Sequence, residues 1–387
     1  MSRPINLDYH ATTPVDPRVL EAMLPYFTER FGNPASRQHA YGWEAQKAVD
    51  AAREQVAALI GASANEICFT SGATESNNLA IKGTAHALRA KGDHLITVVT
   101  EHKSVLDSFK RLESNGWSVT WLGVDREGFI TLDELRAAIT PQTVLVSVMA
   151  ANNEIGTIQP LAEIGAICGE RGVIFHTDAA QAAGKIPIDV RAMNIDLLSL
   201  TGHKYYGPKG AGALFVRKKK PKQQLACQID GGGHENGLRS GTLNVPGIVG
   251  LGAAAEICRM ELASESARLS GQRDRLLAVL CDGLDNVRVN GPLGAGRLPH
   301  NLHVTFEDVE GERLLMALGD LAVSTGSACS SGSQKASHVV EAITPPDAKS
   351  GAVVRFGLGR WSTDEEIETA GVRVVKVIRS LRTTANV

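Results

Sequence analysis

The chain has 387 residues, of which 43% are hydrophobic and 21% charged, with a net charge of −2 at pH 7. Those fractions match ordinary globular proteins and exclude a disordered or fibrous chain. The near-neutral balance gives no general attraction for nucleic acid or a membrane surface. At about 150 residues per domain, the length predicts two to three domains.

In chain order, Glu66-Ile67-Cys68-Phe69-Thr70 reads as a strand, followed by the turn Ser71-Gly72-Ala73-Thr74-Glu75 and a helical run to about Arg89. Short apolar runs at His94 to Val99, Val119 to Leu122, Val144 to Met149, Val173 to His176, Leu197 to Leu200 and Ala211 to Val216 read as further strands. Helix-period segments such as Leu161 to Glu170 lie between several of them. This alternation predicts an α/β fold, a mainly parallel sheet with helices on both faces. The basic run Arg217-Lys218-Lys219-Lys220-Pro221-Lys222 reads as a solvated turn.

The texture changes after Gly231. Gly231 to Gly237 is a glycine-rich loop, and Pro246 to about Leu284 reads as one long helix. A hinge near residue 260 is expected to leave a smaller C-terminal unit, with strands at Leu302 to Phe306 and Val353 to Phe356 and a closing helix from Asp364 to Leu381. Acidic residues in Thr363-Asp364-Glu365-Glu366 suit the start of that helix.

Met1-Ser2-Arg3-Pro4 leads into polar residues without the apolar core of an export signal, and no apolar run approaches the ~18 residues of a membrane span. The six cysteines are scattered, which suits reduced thiols, so a cytoplasmic location is expected. Cys68, Cys168, Cys258 and Cys281 sit in apolar-periodic runs and read as small core residues. No metal site is expected, since His300 and His303 would point to opposite faces of a strand.

Lys204, in Gly202-His203-Lys204, follows an apolar strand and is flanked by Thr201 and His203. Desolvation and neighbouring cations lower a lysine's pKa, and the free amine condenses with an aldehyde cofactor. Taken alone, it reads better as one surface lysine among many. Upstream, Asp178 ends another apolar strand in His176-Thr177-Asp178-Ala179-Ala180-Gln181. Pyridoxal phosphate needs an aspartate at its ring nitrogen, and Gln181 suits the ring hydroxyl. Asp178 could instead cap a helix. Ser71-Gly72-Ala73-Thr74, between strand and helix, offers backbone N–H groups and hydroxyls for a phosphate. His102 offers an imidazole that could stack on a planar ring.

Seven motifs then occur in order: Asp8-Tyr9-x-Ala11-Thr12-Thr13-Pro14, Phe31-Gly32-Asn33-Pro34, Thr70 to Asn78, Asn152-Asn153-Glu154-Ile155-Gly156, Gly202-His203-Lys204, Arg239-Ser240-Gly241-Thr242, and Ser327-Ala328-Cys329-Ser330-Ser331-Gly332. Together, from about residue 5 to 380, they closely resemble the cysteine desulfurases among the class V, fold-type I pyridoxal-phosphate enzymes. The resemblance implies a seven-stranded sheet in a large cofactor domain, residues 15–259, with 1–14 and 260–387 forming a smaller α+β domain. It implies a homodimer that converts L-cysteine to L-alanine. Lys204 would hold the cofactor and move the Cα proton, Asp178 and Gln181 would meet its ring, and His102 would stack over it. Ala73, Thr74, Thr201 and His203 would bind the phosphate, with Thr242 reaching in from the second subunit. Asn33, Asn153 and Arg355 would contact the substrate, an arginine fork suiting its carboxylate.

Cys329 lies among serines and glycines in a segment that cannot pack a core. By the resemblance, which is to the longer-loop group, its thiolate would take the substrate sulfur as a persulfide and pass it to a protein acceptor, an iron–sulfur scaffold or thiolation factor. Thr201 stands where the family usually has serine and keeps the hydroxyl. The chain closes at Thr383-Thr384-Ala385-Asn386-Val387. Members serving the general iron–sulfur scaffold carry a longer tail that docks it, which leaves the choice between these acceptors open. The alternative reading is an aminotransferase or a selenocysteine or cysteine lyase of the same fold, in which Cys329 would be incidental.

Overall fold

The computed structural model describes residues 3–218, 225–325 and 337–385. Strand β1 (Ile5–Asn6) opens the chain, followed by α1 (Pro17–Met23), α2 (Pro25–Thr28) and the long α3 (Ala40–Leu59). Then come β2 (Ile67–Thr70), α4 (Ala73–Leu88), β3 (His94–Val98), α5 (Lys103–Ser114), β4 (Ser118–Leu122) and α6 (Leu132–Ala138). The sheet is completed by β5 (Thr143–Ser147), α7 (Leu161–Arg171), β6 (Ile174–Asp178), β7 (Leu197–Thr201) and β8 (Gly212–Val216).

These seven strands lie in the order β2-β8-β7-β6-β5-β3-β4. All pairs are parallel except those of β8, which runs antiparallel to both β7 and β2. The carboxyl ends of β2, β3, β5, β6 and β7 therefore share one edge, where ligands bind in open α/β sheets. The near-continuous apolar runs foreseen in the sequence follow from this burial on both faces.

Helix α8 (Val245–Gly283) leads to β9 (Val287–Val289), β10 (Asn301–Glu307), α9 (Gly311–Ala317), β11 (Leu321–Ala322), α10 (His338–Ile343), β12 (Gly351–Gly357) and α11 (Asp364–Ala385). Strands β12, β10 and β9 form a second, antiparallel sheet, and β1 pairs with β11.

The hinge expected near residue 260 is corrected: α8 runs through that point as one helix. What changes there is the neighbour. Val245 to Cys258 pack into the core around the large sheet, whereas Leu269, Leu276 and Leu280 pack into a separate core with β10, β12 and α11. Cys281 is also corrected. It follows buried Leu280 by one position, about 100° around the helix, and is exposed. Of the basic run, Arg217 is anchored rather than solvated, its Nε donating to Ile195 O at 2.7 Å, and residues 219–224 lie outside the described ones.

A buried ionic cluster joins the two cores beside Lys204. Arg360 pairs with Asp16 and Glu265, each at 2.7 Å, and its guanidinium lies 4.2 Å from the centroid of the Tyr206 ring. Lys185 covers the same ring at 3.9 Å and pairs with Glu265 at 3.3 Å. Removing Arg360 would leave Asp16 with Arg18 and Glu265 with Lys185 as their remaining counter-charges. Arg360→Ala is expected to lower stability by about 3–5 kcal/mol in urea unfolding of the holoenzyme, with Arg360→Lys recovering part of it.

Candidate active site

A cavity of about 660 Å³ opens at the carboxyl edge of the large sheet. One wall is the start of α4. Gly72, at φ +150°, turns the chain from β2 into the helix in a conformation that side chains rarely allow. It provides no side-chain cap, so the first-turn N–H groups of Ala73 and Thr74 remain for an anion. Glu75 braces the turn, accepting from Ser71 N at 2.9 Å and pairing with Arg239 at 2.8 Å. Thr201, at the end of β7, and His203 complete this wall. Burial, with Lys204 and Lys209 nearby, lowers the His203 pKa to about 4, leaving a neutral ring.

Lys204 sits on a short 3-10 turn after β7. Its Nζ donates to the carbonyls of His10 at 2.5 Å and Ala11 at 2.9 Å. The N-terminal segment is laced onto this turn, since Thr13 N donates to His203 O and Tyr206 N to Thr13 Oγ1. Tyr206 has φ +68°, local strain that the lacing and the ionic cluster hold in place.

The floor is Asp178, at the end of β6 and 5% exposed. Its Oδ2 accepts from Asn77 Nδ2 at 2.7 Å and its Oδ1 from Ala180 N at 2.8 Å. The local turn and the site thus use the same carboxylate. Asn77 Nδ2 also donates to Ser104 Oγ at 2.9 Å, and Ser104 N donates to His102 Nδ1 at 3.2 Å. His102 is therefore fixed as an acceptor at Nδ1, and burial lowers its pKa.

Another part of the lining is Arg355, on β12. Its Nη2 donates to Asp8 and its Nη1 to the Asn153 carbonyl, both at 2.8 Å, and the cavity is lined by Arg355 and Asn153 together. Asn33 and Thr242 are exposed and lie outside this cavity, Asn33 Oδ1 serving the Ala35 N–H at 2.9 Å. Cys329 lies outside the described residues.

The sequence reading missed His10, Asn77, Glu101, Glu154 and His338. Asn77 and Glu154 lay inside quoted motifs, but nothing local marks either as buried beside the site. Glu101 is buried in the cavity lining, accepts from Met149 N at 2.6 Å, and has its pKa pushed well up by burial, then by Asp178.

Buried histidines set the acid response. Burial depresses His10 and His300 well below 6.5 and takes His176 and His303 to about 3. The native state keeps these rings neutral while the unfolded chain takes up protons near 6.5, so their contribution is complete above that pH and lost below it. Glu101 and Glu154, raised from 4.5, act in the opposite sense, gaining stability as pH falls. Four histidines outweigh two carboxyls. Stability is expected to fall between pH 7 and 5, by about 1.4 kcal/mol per pH unit for each net proton. Urea unfolding at both ends of that range checks it.

The residues fit pyridoxal phosphate: an uncapped helix N-terminus with threonine hydroxyls for the phosphate, a buried carboxylate for the ring nitrogen and a lysine amine for the aldehyde. The chain matches the model of the aminotransferase class-V family over residues 5–369. The cysteine desulfurase IscS of Anaeromyxobacter dehalogenans is 57% identical over 382 residues, covering 99% of this chain and 94% of that protein. The cysteine desulfurase IscS of Neisseria meningitidis is 54% identical over 379 residues, covering 98% and 93%. Among solved structures, a NifS-like protein superposes with a TM-score of 0.90 at 36% identity, covering 98% of this chain and 100% of that one. SspA in complex with cysteine gives 0.81 at 41% identity, covering 93% and 100%. The chain belongs to the class-V aminotransferase family of pyridoxal-phosphate enzymes, and its place there is among the cysteine desulfurases.

Proposed function

We propose that this cavity converts L-cysteine to L-alanine through Lys204 as base, Asp178 and Gln181 as ring partners of the cofactor, and Cys329 as the thiol that takes the sulfur. The protein is a pyridoxal-phosphate-dependent cysteine desulfurase. One observation carries the assignment of roles: the lysine amine, the buried aspartate and the uncapped helix start line the same cavity. When bound, the cofactor supplies an electron sink that acidifies the substrate Cα–H and labilises its Cβ–S bond.

The chain's residues do the rest. Ala73, Thr74, Thr201 and His203 anchor the phosphate, and His102 stacks on the ring. Lys204 takes and returns the Cα proton. Arg355, oriented by Asp8, holds the substrate carboxylate in a planar fork, with Asn153 beside it; Asn33, outside the cavity, has no place in this scheme. The Cys329 thiolate attacks the substrate sulfur. An S–S bond forms, the Cβ–S bond breaks, and the released electron pair takes a proton to complete alanine. The persulfide then passes to an acceptor thiol. Described residues on either side of 326–336 support this role: Ser324 O accepts from Arg355 N at 2.6 Å, and Ser337 Oγ donates to Glu154 at 2.5 Å, both partners lining the cavity.

We read the protein as a homodimer of two-domain subunits, divided at 15–259 and 1–14 with 260–387. The two separate hydrophobic cores support the division. Exposed Leu20, Leu24, Phe27, Phe31, Tyr41 and Trp43 support the dimer, in which Thr242 of the partner subunit completes the phosphate site. Among the described residues no helix is long and apolar enough to cross a membrane. We place the enzyme in the cytoplasm, with a sulfur-acceptor protein as partner.

The test is stoichiometric. Holoenzyme incubated with L-cysteine and a thiol reductant is expected to yield alanine and sulfide in equal amounts. Pyruvate with ammonia would instead define a β-eliminating lyase.

A further inference from the structure

The N-terminal segment contributes a histidine, His10, that the desulfuration scheme above leaves unused. It is 1% exposed, lines the cavity and stacks on His300, with centroids 4.3 Å apart. Its ring bridges Asn301 on one side and Gln181 on the other. Asn301 Nδ2 lies 3.1 Å from His10 Nε2, and Gln181 Oε1 lies 3.0 Å from His10 Nδ1.

Amide and imidazole orientations are usually ambiguous, because either end can donate. Here two groups that cannot reverse remove the ambiguity. Arg297 Nη1 only donates, and it meets Asn301 Oδ1 at 2.8 Å. The Glu154 carbonyl only accepts, and it meets Asn301 Nδ2 at 2.9 Å. Nδ2 is therefore the donor toward His10, so His10 Nε2 carries no proton. Burial, then Arg355, Lys204 and Lys185, keep the ring neutral, and the adjoining His300 is neutral as well. The single proton sits on Nδ1 and is donated to Gln181 Oε1. The Gln181 amide is thereby fixed. Its Nε2 gives one hydrogen to His10 O at 3.1 Å and keeps the other.

The support is built in. Arg297 is 2% exposed, and its Nε donates to Pro292 O at 2.6 Å. Gly156 has φ +76°, and a Cβ there would lie 2.5 Å from Asn301 Oδ1, so only glycine lets Asn301 sit where it does. We infer that His10 is a positioning residue. A one-way hydrogen-bond chain from Arg297 through Asn301 and His10 holds Gln181 so that it offers the cofactor ring oxygen an N–H and never its carbonyl. This rests on the reading that Gln181 meets that oxygen.

A donor to the ring oxygen stabilises its anion. Without it, the proton shared between that oxygen and the lysine-bound cofactor nitrogen is held more tightly. The spectroscopic pKa of the resting holoenzyme, read from its pH-dependent visible absorbance, should therefore rise. His10→Phe is expected to raise it by about one unit, a tenfold change in proton affinity. His10→Asn, whose side-chain amide can replace the Nδ1 donor, should titrate like the parent. His10→Phe with bound cofactor and an unmoved pKa would overturn the inference, as would an equal shift in His10→Asn. Gln181→Met separates the two levels: an unmoved pKa there would sink the contact between Gln181 and the ring oxygen itself. If His10→Phe does not fold, the parent protein labelled with 15N-histidine decides, its His10 signals assigned by their loss in His10→Asn. Protonation at Nδ1 supports the chain, and protonation at Nε2 overturns it.

Discussion

Lys204→Ala is expected to lower alanine formation by at least about 10³-fold, or about 4 kcal/mol in the barrier. In the proposed scheme the lysine does two jobs, anchoring the cofactor covalently and carrying the Cα proton, and no neighbour is placed to take over either. Of the nearby groups, His203 is neutral and sits beside the α4 start, while the Nδ1 of His102 is occupied by Ser104 N. The fold should survive. The carbonyls of His10 and Ala11 lose a donor, but they border a cavity that water can fill. Two further readouts separate loss of chemistry from loss of structure. Borohydride should no longer fix the cofactor to the chain, and an added small primary amine should restore part of the activity. Covalent fixation at another lysine in the parent enzyme would remove Lys204 from its role.

Cys329→Ala is expected to keep the cofactor absorbance of the parent and to lose persulfide formation, with cysteine turnover down at least about 10²-fold. The described cysteines do not offer a substitute nucleophile: half-buried Cys227 donates to Ile229 O at 3.0 Å and lies outside the cavity lining. Burial pushes the thiol of Cys168 up to about 12 and raises those of Cys68 and Cys258. A thiol held protonated neither attacks sulfur nor carries it. Cys281 is exposed but also raised, and it lies on α8 outside the cavity lining. Mass spectrometry of the parent after L-cysteine should find one added sulfur at Cys329 and none on the alanine variant. Unchanged turnover in the variant would favour a lyase or an aminotransferase.

Both experiments start from residues that the sequence alone nominates. Lys204, Asp178 and the Gly72 turn each follow an apolar run ending in a strand, and that pattern is local. Strand and helix periods lie within windows of a few to some twenty residues, so the seven strands of the large sheet, the long α8 and the closing α11 were all foreseeable. The order of the motifs carried the family.

What sequence could not provide was decided by pairing across distance. Arg355 meets Asp8, Asn77 lies under Asp178, and His10 meets Asn301, partners drawn from opposite parts of the chain. No local period encodes such contacts, because they exist only once the second core docks along α8 and the N-terminal segment laces over the lysine turn. The same reason explains the misplaced hinge and Cys281. A helix's apolar pattern says that it is buried but not by which neighbour, and α8 changes neighbour without breaking. The residue types that do chemistry were thus set by the sequence. Their protonation, orientation and company were set by tertiary packing, which fixes burial and hydrogen-bond direction.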